Sequence, residues 1–255
     1  MDLAKPIKHY VPEASIVYDG VTVQHCLDMN CGIKHQDENH NYRAAGGWEP
    51  IHGDEPAKTL HGYLAQMEAL SDGPGVGFNY ASTNTDLLGW ALERATGKKL
   101  AELISELLWQ PMGAESDAII AVDSEGSARA AGGMCATVRD IARVGQLVAD
   151  GGRGVVPTSW IDDMTHNGNK DNLANSSWAP MFHPEFDNAA YRDCWVADSK
   201  MNVLFGVGVF GQWMMVDPEN KIVMALTASQ PEARNDVKLK MAPLAFMEIR
   251  RILTS

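Results

Sequence analysis

Strand patterns concentrate in the carboxy-terminal third of this chain, whereas helix patterns fill the first two thirds. Apolar runs at 203–216 and 222–229 flank Asp217-Pro218-Glu219-Asn220, residues that suit a tight turn, so they predict a β-hairpin. A final amphipathic helix is predicted at about 236–253, packing across that hairpin. Helices on a mainly antiparallel sheet make an α+β architecture, which is the fold class that we predict.

Other helices are predicted from caps, apolar spacing and stop signals. Four of them are predicted to begin at Thr22, Pro56, Thr137 and Thr158. Two more are predicted over 87–95, with a stop at Gly97, and over 100–108, with a stop at Pro111. A shorter strand is predicted at 118–122. Because no linker separates independent domains, one domain over 1–255 is expected.

Composition restricts the partners of the chain. A content of 45% hydrophobic and 21% charged residues is ordinary for a soluble globular protein, and the net charge is −12. That charge disfavours nucleic acid and anionic membranes, which need a positive field. No apolar run approaches the ~20 residues of a membrane helix, and no signal-peptide pattern opens the chain. The compartment is therefore unknown, with a soluble cytoplasmic protein as the default.

Neither a metal nor a cofactor is predicted. The four cysteines show no Cys-x-x-Cys pairing, which favours buried free thiols over a zinc site or a disulfide framework. The histidine-rich stretch 35–40 lacks the helical spacing or cysteine partners that make such clusters specific. A solvated loop is the expected structure there.

A tyrosine-containing turn, Phe78-Asn79-Tyr80-Ala81-Ser82, leads directly into a predicted helix. A phenol at the amino terminus of a helix, where free N–H groups favour anions, can have its pKa lowered enough to act as a base. By spacing alone, a half-buried tyrosine with a satisfied hydroxyl is the more common outcome.

The segment 78–90 resembles the Tyr-x-Asn/Ser box of the serine β-lactamase and penicillin-binding-protein superfamily. The similarity points to the branch of class C β-lactamases, related esterases and 6-aminohexanoate-oligomer hydrolases. Other stretches resemble this family in the expected order, namely 9–13, 18–23, the turn at 29–33, the glycine-rich turn and helix at 131–143, and a third box at 206–213 on a sheet-edge strand. The resemblance implies a β-lactamase/transpeptidase-like fold in which about 31–115 forms a helical insert.

The family's nucleophile box has no counterpart here. The nucleophile is the serine of a Ser-x-x-Lys helix turn, and no serine in this sequence has a lysine three residues later. The opening residues 1–7 resemble the linker that follows this box. The resemblance therefore implies a chain incomplete at its amino terminus. We expect exposed apolar surface and self-association as consequences.

Site roles follow from the resemblance, residue by residue. Tyr80 takes the place of the family's catalytic base, and Ser82 stands where class C enzymes have asparagine, which puts lactam hydrolysis in doubt. The third box lacks a cation, so its predicted contribution is a backbone donor for an oxyanion hole at Gly211, Gln212 or Trp213. The alternative is an ordinary edge strand whose glycines allow close packing of a helix.

No catalytic role is predicted for the other charged candidates, which suit helix caps or helix-surface ion pairs: Asp28, Asp86, Arg139 and Asp140. Trp48, Trp178, Trp195 and Trp213 could line a substrate cleft, although core packing is the more common outcome for each taken singly.

The resemblance implies a serine hydrolase that cleaves a small amide or ester through an acyl-enzyme and is inactive as this chain. The alternatives are a non-catalytic ligand-binding descendant and a gene-model fragment.

Overall fold

The computed structural model describes residues 1–54 and 56–255, which form two compact units. The first unit comprises Met1–Glu106 with Ala118–Cys135, and the second comprises Leu107–Asp117 with Ala136–Ser255. The expectations of a single domain over 1–255, of a helical insert at about 31–115 and of an incomplete amino terminus stay predictions.

The first unit is mostly helical. Its helices are α1 (Val23–Leu27), α2 (His40–Ala45), α3 (Leu60–Gln66), α4 (Ser82–Thr96) and α5 (Leu100–Ile104). Its strands form two short antiparallel pairs, β1 (Ile33–Lys34) with β2 (Leu70–Ser71) and β3 (Ile119–Ile120) with β4 (Met134–Cys135). Its core includes Leu60 and Leu64 from α3 and Leu87 and Ala91 from α4, all of them buried. Both helices therefore contribute apolar residues spaced four apart to one core.

The second unit is built on an antiparallel sheet. Its strands are β5 (Ala189–Arg192), β6 (Trp195–Asp198), β7 (Val203–Gly208), β8 (Gln212–Asp217) and β9 (Ile222–Leu226), hydrogen-bonded in chain order. Its helices are α6 (Gln110–Met112), α7 (Val138–Ala149), α8 (Thr158–His166), α9 (Lys170–Ala174), α10 (Ala179–Phe182) and α11 (Asp236–Leu253). A π-helical stretch, Ser105–Trp109, connects α5 to α6.

Helices cover both faces of this sheet. Leu204 and Val216 on one face pack with Val148 of α7 and with Met164 of α8. On the other face, the ring of Phe205 lies 5.6 Å from that of Phe182 in α10. The sheet with its covering helices confirms the predicted α+β class.

Strand predictions were right for the hairpin and wrong for its first strand. β8 and β9 pair as a hairpin, Val216 opposite Val223, as expected. The run 203–216 is not one strand, because Phe210 (φ 61°) and Gly211 (φ 86°) turn the chain and separate β7 from β8. Both strands have neighbours on both sides, so the expected edge position of this segment is wrong.

Helix boundaries follow local caps. Thr22 caps α1 and Gly97 ends α4 in the left-handed conformation, both as predicted. α3 begins at Leu60, and not at Pro56, because the Thr59 side chain accepts the N–H of Gly62 and caps the helix there. Pro111 lies within the first turn of α6 and does not end the preceding helical segment.

The last helix has one buried and one exposed apolar stripe. Leu239, Ala242 and Phe246 are buried, and α11 packs against β8, one strand of the predicted hairpin. Val237 and Met241 are 78% and 65% exposed. Among the described residues, no helix has both the length and the apolar content needed to cross a bilayer.

Candidate active site

Tyr80 lies two residues before the first residue of α4 and is half-buried. Its preceding residue is fixed to the predicted family turn at 29–33. The Asn79 backbone N–H donates to the carbonyl of Met29 at 2.8 Å, and its side-chain amide donates to the carbonyl of Ile33. The backbone on the amino-terminal side of Tyr80 is therefore held by a segment about 50 residues earlier in the chain.

Asp37, which is distant from α4 in the sequence, caps the amino terminus of this helix. Ala81 occupies the N-cap position and has no side-chain oxygen to accept a helix N–H. Instead, Asp37 Oδ1 accepts the backbone N–H of Ser82 at 3.0 Å, and Oδ2 accepts its hydroxyl at 2.6 Å. A carboxylate at this position also interacts favourably with the helix dipole. The segment that contains Tyr80 is thereby held on its carboxy-terminal side as well.

His35 lies next to the Asp37 carboxylate. Its Nδ1 lies 3.5 Å from Asp37 Oδ1, its Nε2 lies 3.0 Å from the Tyr63 hydroxyl, and its side chain is 4% exposed. Burial raises the pKa of Asp37, but His35 and the two bonds from Ser82 outweigh burial and leave that pKa below its usual value. The expectation of a solvated loop is wrong for His35. Within residues 1–54 and 56–255, no group of three or more His, Cys, Asp or Glu is arranged to hold a metal.

Asp86 forms a second buried polar cluster on α4. It is 1% exposed, its Oδ2 accepts the hydroxyl of Tyr42 at 2.6 Å, and its Oδ1 accepts the backbone N–H of Ala131 at 2.8 Å. Burial raises its pKa, opposed by the Tyr42 bond and by the charge of Arg129. The prediction of a helix cap or a helix-surface ion pair is wrong for Asp86, which connects α4 to the turn at 130–131.

The other charged candidates lie at helix ends or on a helix surface. Asp140 bonds to Thr137 at the start of α7 and pairs with Arg143 at 2.8 Å, which fits its predicted capping role. Asp28 follows the last turn of α1, and its Oδ1 accepts a hydrogen bond from the side-chain amide of Gln24 at 3.0 Å. Arg139 is exposed.

The third box lies in the second unit. Gly211 closes the turn between β7 and β8, and Gln212 and Trp213 begin β8. The Gln212 side chain bonds to the backbone of Ala228 in both directions, donating to its carbonyl and accepting its N–H at 3.2 Å. The Trp213 ring is 3% exposed and packs edge-on to Phe182 in the core. The oxyanion role of the backbone at these residues stays a prediction.

The three other tryptophans considered as cleft residues differ in exposure. Trp48 is 39% exposed and stacks on Arg129, whereas Trp178 and Trp195 are half-buried in the second unit.

Comparison with known proteins identifies the family. The sequence pattern of the Beta-lactamase family matches residues 1–244. The chain belongs to the Beta-lactamase family. This membership confirms the resemblance read from the tyrosine box, the glycine-rich turn and the third box.

The relatives agree with this assignment. The chain is 33% identical over 244 residues to the 6-aminohexanoate-dimer hydrolase of Paenarthrobacter ureafaciens, covering 91% of this chain and 61% of that protein. A structure described as a candidate 6-aminohexanoate-dimer hydrolase from Bacillus anthracis superposes with a TM-score of 0.83 at 24% identity, covering 99% of this chain and 67% of that one. A D-stereospecific amidohydrolase from Streptomyces sp. superposes with a TM-score of 0.65 at 19% identity, covering 95% and 78%. The predicted β-lactamase/transpeptidase-like fold is confirmed.

Proposed function

We propose that this chain carries the general base of an amide or ester hydrolase that works through an acyl-enzyme, and that Tyr80 is that base. The observation that supports Tyr80 most directly is the fixation of the backbone on both of its sides, by Asn79 to Met29 and Ile33 and by Ser82 to Asp37. A general base must be held in reach of the proton that it removes.

In this reaction the Tyr80 phenolate takes the proton of a serine nucleophile and later delivers it to the leaving group. The amino terminus of α4 already carries the negative charge of Asp37, which opposes a second anion there. A nearby cation is then needed to favour the phenolate, and the lysine of a Ser-x-x-Lys box has that charge.

We propose that the 255 residues alone do not form an acyl-enzyme. No serine among them is followed by a lysine at the third position, and the hydroxyl of Ser82 donates to a carboxylate, not to an amine that would activate it. A fluorophosphonate probe should leave the chain unlabelled, and a nitrophenyl ester should give no burst. Covalent labelling of Ser82 would contradict the role given to it here.

The genomic frame upstream of Met1 separates a hydrolase from a ligand-binding descendant. An in-frame Ser-x-x-Lys about thirty residues before Met1, one helix and a linker at ~1.5 Å per helical residue, supports the hydrolase. A stop codon in that interval supports the ligand-binding descendant or a relic of the enzyme.

Replacement of Tyr80 tests its role directly in a protein expressed from that longer frame. Tyr80→Phe should lower kcat by roughly 10²- to 10⁴-fold with little change in KM, as expected for loss of a general base. Tyr10→Phe is the matched control, since Tyr10 is also half-buried and its hydroxyl accepts the N–H of Asp2. Equal kcat values for Tyr80→Phe and the unsubstituted protein would remove Tyr80 from the mechanism.

Linear amides of ω-amino acids are the first substrates to assay, because the curated relative is named for the 6-aminohexanoate dimer. Serine at position 82, where class C β-lactamases have asparagine, makes β-lactams the less favoured substrates. Hydrolysis of a penicillin or cephalosporin faster than of linear amides would reverse this order.

Self-association with a second copy is also proposed. The exposed apolar stripe of α11 includes Val237, Met241 and Ile252, which are 78%, 65% and 57% exposed. Light scattering after size exclusion should show an oligomer that Met241→Lys weakens. A monomer at all concentrations would contradict this proposal.

A further inference from the structure

Arg129 is a buried cation with unmet hydrogen-bond donors. It is 2% exposed, and within the described residues its Nε and Nη1 have no hydrogen-bond partner. A guanidinium stays charged at all physiological pH values and directs its N–H donors in a rigid fork. A buried donor without an acceptor is costly, so the site lacks an acceptor that a ligand can supply.

Two aromatic rings and a glycine fix the position of this guanidinium. Its Cζ lies 4.6 Å from the centre of the Tyr42 ring and 4.2 Å from that of the Trp48 ring. A Cβ atom at Gly46 would lie only 2.1 Å from Nη1, so only a glycine allows the guanidinium to sit there. The surroundings are therefore shaped for the arginine but leave two of its nitrogens unbonded.

The charge of a buried carboxylate, Asp86, balances that of Arg129 without satisfying these donors. The Arg129 charge acts on the pKa of Asp86, yet both Asp86 oxygens already accept other hydrogen bonds, from Tyr42 and from Ala131. Arg129 thus has a counter-charge, but its Nε and Nη1 have no acceptor among the described residues. A monoanion suits this balance better than a dianion, which would leave the buried cluster with a larger negative excess.

We propose that Arg129 binds the carboxylate group of a small-molecule ligand. A carboxylate oxygen accepts a strong, charge-assisted N–H···O bond from a guanidinium, and because Nε and Nη1 do not share an edge of that group, one carboxylate satisfies one of the two. Tyr42 is fully buried and Trp48 is 39% exposed, so the ligand approaches on the side of the indole, which contacts its apolar part. This site does not depend on the acyl-enzyme proposal, because binding requires neither a nucleophile nor Tyr80.

The test compares hexanoate with its neutral isostere hexanamide and with inorganic phosphate on the chain as it exists. Hexanoate should bind saturably, raise the melting temperature and shift the Nε–H resonance of Arg129 in a ¹⁵N spectrum. Hexanamide and phosphate should produce none of these three effects. An equal response to hexanamide, or an unchanged Arg129 resonance at saturating hexanoate, would overturn the proposal and leave a buried water as the acceptor.

Two variants assign the binding to this arginine. Arg129→Lys keeps the charge but removes the planar guanidinium with its Nε and Nη1 donors, and it should weaken hexanoate binding roughly tenfold or more. Arg94→Lys is the matched control, because Arg94 also lies over an indole, with Cζ 5.9 Å from the Trp90 ring, but pairs with Glu13 at the surface. Equal affinities in the two variants would overturn the assignment. If Arg129→Lys does not fold, the resonance shift in the unsubstituted chain decides the question.

Discussion

The bond between Asp37 and the hydroxyl of Ser82 should be measurable as a coupling energy. Asp37→Ala removes the acceptor for both the N–H and the hydroxyl of Ser82, whereas Ser82→Ala removes only the hydroxyl bond of 2.6 Å. A double-mutant cycle of these two substitutions therefore isolates the hydroxyl bond from the backbone cap.

The geometry sets the size of each effect. Hydrogen bonds to charged groups contribute about 1.5–3 kcal/mol each, and the lower end applies here because the Asp37 side chain is 32% exposed and water competes for its oxygens. We expect Asp37→Ala to lower the free energy of unfolding by about 2.5 kcal/mol and Ser82→Ala by about 1.5 kcal/mol. The double variant should lose about 1–1.5 kcal/mol less than the sum of the two.

Urea denaturation of the four proteins, followed by circular dichroism, gives these free energies. Asp19→Ala is the matched control, since Asp19 forms a 2.7 Å ion pair with Lys8 at the surface with 59% of its side chain exposed. It should cost less than about 0.5 kcal/mol. A coupling energy below about 0.3 kcal/mol would refute the view that Asp37 and Ser82 hold the start of α4 together.

Three further outcomes follow from the structure. The fold lowers the pKa of Asp37, so the stability that its carboxylate contributes should be complete above the ordinary pKa of about 4 and should be lost as the pH falls through the lower pKa of the folded state. In urea titrations at acid pH, the difference in unfolding free energy between the unsubstituted chain and Asp37→Ala should therefore shrink. Gly145→Ala should destabilise by about 1–2 kcal/mol in urea despite the better helix propensity of alanine, because its Cβ would lie 2.5 Å from Val223 Cγ1; a stabilised variant would contradict the packing of α7 on β9. Ellman's reagent with peptide mapping should modify the exposed Cys135 first and the buried Cys26 only on unfolding, and early modification of Cys26 would contradict its burial.

Features encoded within a few residues could be predicted from the sequence. Thr22, Gly97 and the bounds of α11 were found correctly because a cap or a stop signal acts within one helical turn. The short strands β5 and β6 were missed. Both are buried on nearly every residue, and strands covered on both faces lack the alternation of apolar and polar residues that reveals a half-buried strand.

Polar contacts between distant segments could not be predicted in the same way. Ala81 has no side-chain oxygen that could signal a helix cap. The carboxylate that caps the helix instead belongs to Asp37, which is 45 residues away from Ser82 in the sequence. Asp86 did carry a signal, since it shares the buried face of α4 with Leu87 and Trp90, where a surface ion pair does not fit. A positive φ at Phe210, a residue that rarely adopts one, concealed the break between β7 and β8.

The polar contacts around Tyr80 connect one short segment to three different parts of the first unit. Asn79 bonds to Met29, Ser82 bonds to Asp37, and Asp86 bonds to Ala131. Apolar packing alone would leave the segment free to slide by fractions of an ångström, because dispersion contacts have little directional preference, whereas each of these hydrogen bonds fixes a distance and an angle. A catalytic phenol requires positioning at that scale, while a structural tyrosine with a satisfied hydroxyl does not. Loss of one anchor leaves two, so Asp37→Ala should reduce stability without unfolding the unit, and in a longer protein that contains the nucleophile it should lower kcat more than it raises KM.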